Sequence, residues 1–227
     1  LAAYGLDESA WGGDQEQMFE KIHEMRTRII INPKFDERIS GAILFERTMN
    51  SEVEGVPTAQ YLSQKNIVPF LKVDEGLAEE SNGVQLMKPL SGLTERLKSA
   101  NEHGIFGTKM RSVINSADAA GIAAIVTQQF EVGNVIIDAG LMPILEPEVN
   151  IKSGDKAACE ALLHEELLKN LDALPEDRQV MLKLTLPEVE NLYSDIIAHP
   201  RVLRVVALSG GYSRDEANER LASNNGM

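Results

Sequence analysis

The sequence predicts an α/β fold, a (β/α)8 TIM barrel that lacks its first and last strands over the 227 residues given. Three observations carry that expectation. Strand-like runs alternate with helical patterns from end to end, which implies a parallel sheet with right-handed crossovers. The G-x-G-x-x-G turn that announces an open dinucleotide-binding sheet is absent from the sequence. Polar residues gather at the carboxyl ends of several different strands, the habit of barrels.

Taken in order, the first strand candidates are "ISGAILFE" (Ile39 to Glu46) and "IVPFLKVD" (Ile67 to Asp74). A helix opens at Ser91 in "SGLTERLKSANEHG" and stops at Gly104, a glycine suited to the left-handed position after a helix. "IFGTKMR" (Ile105 to Arg111) gives the third strand, and the apolar-striped helix "ADAAGIAAIVTQQFEVGNVIIDAG" ends on Gly140. The strand "LMPILEPEV" (Leu141 to Val149) leads to the helix "DKAACEALLHEELLKNLDALP", which runs into a proline stop. "VMLKLTL" (Val180 to Leu186), the helix "EVENLYSDIIAHP" and the strand "VLRVVALSGG" (Val202 to Gly211) complete the series. No linker interrupts it, so residues 1–227 are expected to form one barrel domain. Six strands do not close an eight-stranded barrel. The chain opens on Leu1 and stops in loop-like "LASNNGM", so the missing pair is expected to flank it.

Composition narrows the function classes. The formal charge of −13 repels nucleic acid and anionic membranes. No apolar run is expected to reach the roughly 20 residues that cross a bilayer. One cysteine, Cys159, read as a small helix residue, excludes an internal disulfide. A reducing, cytoplasmic setting fits. A homo-oligomer is compatible with the sequence, which leaves the number of copies open.

The run "RQVMLKLTLP" is apolar on both strand faces yet carries Lys183, with Met181 and Thr185 on its face. An unpaired ammonium is expensive to bury, so the position asks for a reason. Period-two reading places Glu146 and Glu148 on one face of their strand, roughly 6.5–7 Å apart. It places Lys109 and Arg111 on one face with Gly107, and Lys72 on one face with Phe70 and Asp74. Ser209 precedes Gly210 and Gly211. Each has a plain alternative: Lys183 as a buried lysine paired with a carboxylate, and the glutamates as a solvated strand end or a partner for Arg111. Lys72 and Lys109 would then be surface lysines and "LSGG" a simple turn. Together they put Lys72, Lys109, Lys183 and two carboxylates at one barrel mouth.

That set suggests a chemistry. A lysine attacks a ketone only when neutral; desolvation with a neighbouring cation favours the neutral amine, and Lys183 on an apolar strand facing Lys109 would meet both conditions. The resulting iminium withdraws electrons from the adjacent carbon–carbon bond, while glutamates move the protons. A Ser-Gly-Gly turn offers N–H groups to phosphate, and lysines add point charge. The set describes a Schiff-base lyase acting on a phosphorylated ketose.

The motifs "GAILFERTMN", "VPFLKVDEGL", "GTKMRS", "PILEPEVN", "VMLKLTLP" and "ALSGGYSRDEAN" run in order through nearly the whole chain. In them the sequence resembles the class I fructose-1,6-bisphosphate aldolases, and looks most like their short bacterial branch. The resemblance implies a (β/α)8 barrel and an aldehyde-lyase of glycolysis that needs no cofactor. It implies that Lys183 forms the Schiff base, that Glu146 is the main proton shuttle assisted by Glu148, and that Lys109 steers proton transfer. Lys72 would contact the phosphate at the aldehyde end, and Ser209, Gly210 and Gly211 the phosphate at the ketone end. Arg111 matches a site arginine without one assigned role. The match departs from the animal-type signature, where a glutamate–glycine pair precedes the lysine and a proline follows it; here Leu184 follows Lys183. The family's first-strand aspartate and last-strand arginine are also missing, and are expected on the flanking strands.

Other readings are weaker. His23, His103, His164 and His199 are scattered without metal-ligand spacing, so a zinc-dependent aldol route is not expected. Two carboxylates in a barrel suit glycoside hydrolysis, but these lie on one strand, and aromatic residues make up only 5% of the chain, with Trp11 the one tryptophan. A non-catalytic phosphosugar-binding or scaffold barrel is the remaining alternative.

Overall fold

The computed structural model describes Ser9 and residues 11–227, so most of the opening stretch that begins at Leu1 lies outside the described residues. The chain divides into two compact units, one running to Lys72 and including Ser99–Phe106, the other comprising Val73–Lys98 and Gly107–Met227.

In the first unit, α1 (Gln15–Ile30) begins where the Asp14 carboxylate accepts a hydrogen bond from Gln17 N at 3.0 Å. β1 (Gly41–Leu44) is followed by α2 (Glu46–Met49) and by a small antiparallel pair, β2 (Glu52–Val53) and β3 (Val56–Pro57). Glu54 and Gly55 between them both have positive φ, the conformation of tight hairpin turns. α3 (Thr58–Gln64) leads to β4 (Val68–Lys72), which pairs parallel to β1 with Gly41 opposite Val68. Met49, Leu62, Ile67 and Leu71 are fully buried in this unit.

The second unit carries β5 (Val84–Gln85) and most of α4 (Leu93–Glu102). Four parallel strands then follow: β6 (Gly107–Ile114), β7 (Met142–Val149), β8 (Val180–Thr185) and β9 (Val202–Leu208), each hydrogen-bonded to the next. β5 pairs antiparallel with the end of β6. The crossovers are α5 (Ala119–Asp138), α6 (Lys156–Ala173) and α7 (Ser194–Ala198), and α8 (Arg214–Ala222) follows β9. Strand–helix alternation with parallel pairing is the expected barrel pattern. All six strand runs read from the sequence are strands.

Two expectations change. The helix expected over "EVENLYSDIIAHP" shrinks to α7, because Asn191 sits at φ +57 and its backbone N–H is held by the Asn224 side chain at 2.9 Å. The apolarity of α5 was also underestimated. By length and composition, this 20-residue helix is long and apolar enough to cross a membrane. Here the helix instead buries Ile122, Ile125, Val126, Phe130 and Ile136. Gln129 on the same face donates to Ser112 Oγ at 2.9 Å, and at Gly133 an added Cβ would lie 3.3 Å from Leu145 Cδ2. The stripe is a core face.

Candidate active site

The packing of α5 sorts the strand faces. Ser112 on β6, and Pro143 and Leu145 on β7, face that helix. By alternation, Lys109, Arg111, Glu146 and Glu148 project from the opposite face. β6 and β7 pair in register, Lys109 opposite Ile144 and Arg111 opposite Glu146. On β8, Leu145 is opposite Leu182, which puts Lys183 level with Glu146.

Four buried or half-buried side chains of alternating formal charge result. Asp74 Oδ2 lies 3.3 Å from Lys109 Nζ, and Lys109 Nζ lies 2.9 Å from Glu146 Oε2. The other oxygen of Glu146, Oε1, lies 2.8 Å from Lys183 Nζ. Asp74, Lys109 and Glu146 are almost completely covered, whereas the Lys183 side chain keeps 25% of its surface. Lys183 is therefore the open end of the row. Lys183 does not face Lys109 directly as the sequence suggested; the Glu146 carboxylate stands between them.

Glu148 does not join this row. Its Oε2 accepts from Arg111 Nη1 at 3.0 Å, and the Arg111 side chain is more exposed than any in the row. The alternative that made Glu148 a partner of Arg111 describes the structure. The two carboxylates therefore have separate cationic partners and are not arranged as an isolated acid–base pair.

Asp74 is the site residue that sequence reading did not single out. The available signal was its place at the carboxyl end of "IVPFLKVD". The chain around it is braced: Arg96 donates to Val73 O and to Glu75 Oε1, each at 2.8 Å, and Val73 N donates to Lys109 O at 3.0 Å. The Arg96 hydrogen bond holds the Glu75 carboxyl below its usual range.

β9 ends beside β8, with Leu208 opposite Thr185, and Ser209 leads into the turn. Gly210 and Gly211 have φ of +62 and +114, and Tyr212 N closes on Ser209 O at 3.1 Å. A Cβ at Gly210 would meet Ile151 Cγ2 at 2.7 Å, so both backbone conformation and space require glycine. Ser209 is exposed. Lys72 belongs to the other unit, where it ends β4 with its Nζ 5.7 Å from the Phe45 ring centroid. Among the described residues, no three His, Cys, Asp or Glu side chains converge as metal ligands would. The arrangement can pass a proton between an amine and a carboxylate beside a glycine turn open to an anion.

A family model described as fructose-bisphosphate aldolase class-I matches residues 14–194. A curated "Fructose-bisphosphate aldolase class 1" from Synechocystis sp. is 59% identical, over 100% of this chain and 76% of its own length. Among solved structures, a fructose-bisphosphate aldolase from Plasmodium falciparum, crystallised with TRAP and a small-molecule inhibitor, superposes with a TM-score of 0.69. It is 24% identical, over 92% of this chain and 73% of that one, and is a likeness of fold. By its sequence, the chain belongs to the class-I fructose-bisphosphate aldolase family.

Proposed function

We propose that this aldolase cleaves fructose 1,6-bisphosphate reversibly to dihydroxyacetone phosphate and glyceraldehyde 3-phosphate through a Schiff base on Lys183. The observation that carries the reading is the 2.8 Å contact between Lys183 Nζ and Glu146 Oε1. An ammonium must lose a proton before it attacks a carbonyl, and an acceptor at hydrogen-bonding distance provides the route. The neutral amine adds to the ketone carbon to give a carbinolamine. Glu146 then returns a proton to the hydroxyl, which leaves as water, and an iminium remains. Removal of the proton from the C4 hydroxyl breaks the C3–C4 bond, the electron pair moving into the iminium to form an enamine. The aldehyde product departs. Protonation of the enamine at C3 and hydrolysis release the ketone and regenerate the lysine.

Lys109, held between Asp74 and Glu146, orients the carboxylate and offsets its charge as protons move. Glu148 and Arg111 are given the assisting positions at the more exposed side. Lys72 is assigned to the phosphate at the aldehyde end, and Ser209, Gly210 and Gly211 to the phosphate at the ketone end. The family supports a carbon–carbon lyase working in the cytoplasm on a phosphorylated sugar.

The test is chemical trapping. Dihydroxyacetone phosphate and borohydride, followed by digestion, are expected to leave a stable adduct on the peptide that contains Lys183. An adduct on another lysine, or none, removes the mechanism.

A further inference from the structure

Outside the site, three connections of the second unit meet around a buried ion pair. The inward stripe of α6 is Lys156, Cys159, Glu160, Leu163, Leu167 and Leu171, so it opens with two charged residues. Lys156 is 5% exposed and Glu160 is fully buried. Lys156 Nζ pairs with Glu160 Oε1, donates to Leu186 O at 2.9 Å and lies 3.4 Å from Glu188 Oε1. The second oxygen of Glu160 accepts from Glu188 N at 2.9 Å. Burial pushes the Glu160 carboxyl up from its usual range.

Glu188 in turn reaches the glycine turn. Tyr212, the residue after Gly211, donates its hydroxyl to Glu188 Oε1 at 3.1 Å. Its ring lies 4.3 Å from the Arg220 guanidinium and 5.9 Å from Lys156 Nζ. Burial first, then Glu188, push the phenol up to about 12, so it is a hydrogen-bond donor at neutral pH. Packing alone does not call for this network, because a buried ion pair is often matched or exceeded in stability by apolar residues of similar volume. Its contacts are with the residues that follow Lys183 on one side and Gly211 on the other.

We propose that Lys156 is a positioning residue for the aldol reaction: through Leu186 O and Glu188 it fixes the end of the Lys183 strand, and through Glu188 and Tyr212 it fixes the Ser209–Gly211 turn. The amine and the anion-binding turn then keep a constant separation, so that a ketose held by its phosphate presents its carbonyl to the amine. This rests on the assignment of Lys183 and the turn given above.

Lys156→Met and Tyr212→Phe test it. The second keeps the ring and its stacking and removes only the hydroxyl. A loosened turn weakens phosphate binding more than chemistry at saturation. Lys156→Met is thus expected to raise KM for fructose 1,6-bisphosphate about tenfold, and Tyr212→Phe about threefold. The concentration of dihydroxyacetone phosphate that half-saturates borohydride trapping should rise in parallel. The yield of Lys183 adduct at saturation should stay within about twofold of the parent. A lower melting temperature with unchanged KM in Lys156→Met, or an unchanged KM in Tyr212→Phe, overturns the role. If Lys156→Met does not fold, Tyr212→Phe decides alone. An adduct missing from Lys183 in the parent protein would remove the assignment of the amine; the KM comparison for turnover would still judge the positioning role.

Discussion

Glu146 lies within ion-pair distance of two ammonium groups, one per oxygen, and a neutral amide in its place would keep the shape while losing the proton acceptor. Glu146→Gln is therefore expected to lower kcat by about a hundredfold or more while KM changes little. Steady-state assay with fructose 1,6-bisphosphate checks this, and near-normal kcat would deny Glu146 the proton-transfer role. Lys109 behaves differently because it is buried between two carboxylates. Lys109→Met leaves Asp74 and Glu146 facing each other without the intervening cation, at a cost of about 3–5 kcal/mol in stability. Urea unfolding would measure it, and a loss no larger than that of an exposed lysine would show that the row is not electrostatically coupled. At this scale the sequence marked Lys109, Glu146 and Lys183, because charge inside apolar strands stands out. Asp74 escaped notice because its partner is 35 positions away, a distance no local pattern encodes.

Strands and their following turns show a similar division. β6 to β9 were legible because each follows a helical pattern that stops at a glycine or proline, Gly104, Gly140, Pro175 and Pro200 in turn. β2, β3 and β5 have two residues each, too short to display alternation. α7 was overread because Asn191 breaks the helix through tertiary hydrogen bonds rather than through local propensity. Gly210 was read as a turn glycine, and the structure adds a steric demand from Ile151. Gly210→Ala is expected to displace the turn and raise KM for fructose 1,6-bisphosphate with a smaller change in kcat. An unchanged KM would remove the turn from phosphate recognition. The connection before α6 has its own acid sensitivity. Asp155 accepts from the Ser153 hydroxyl at 2.6 Å and from Ala117 N at 2.9 Å, and these bonds, the hydroxyl first, hold its carboxyl below the usual range. A depressed carboxyl contributes stability above its unfolded pKa and loses it as pH falls through the folded value. Asp155→Asn should therefore show a smaller fall in melting temperature than the parent between neutral pH and about 3. An equal fall would place the acid sensitivity elsewhere.

For the whole molecule, a formal charge of −13 coexists with a row whose formal charges cancel, Asp74 and Glu146 against Lys109 and Lys183. Attraction for a doubly phosphorylated sugar cannot then come from the overall field. It must come from a few donors at short range, as the proposed assignment of the Ser209–Gly211 turn and a few cations to the phosphates requires. Rigidity is the corresponding requirement, and its distribution can be read from the second unit. β7 is hydrogen-bonded on both sides, to β6 and β8, and lies under α5, with Leu145 and Val149 fully buried. α8 buries none of its residues. Local opening is cheapest where few buried contacts are lost and dearest at doubly paired core strands. Amide exchange followed by mass spectrometry should find Met142–Val149 among the slowest segments and Arg214–Ala222 among the fastest. The proposed site draws Glu146 from the first of these and the turn from the chain just before the second. Saturation with dihydroxyacetone phosphate should accordingly slow exchange through residues 209–216 and leave β7 unchanged, because a strand already closed has little opening left for a ligand to suppress. Protection gained in β7 but not in that turn would mean that the phosphate is held elsewhere.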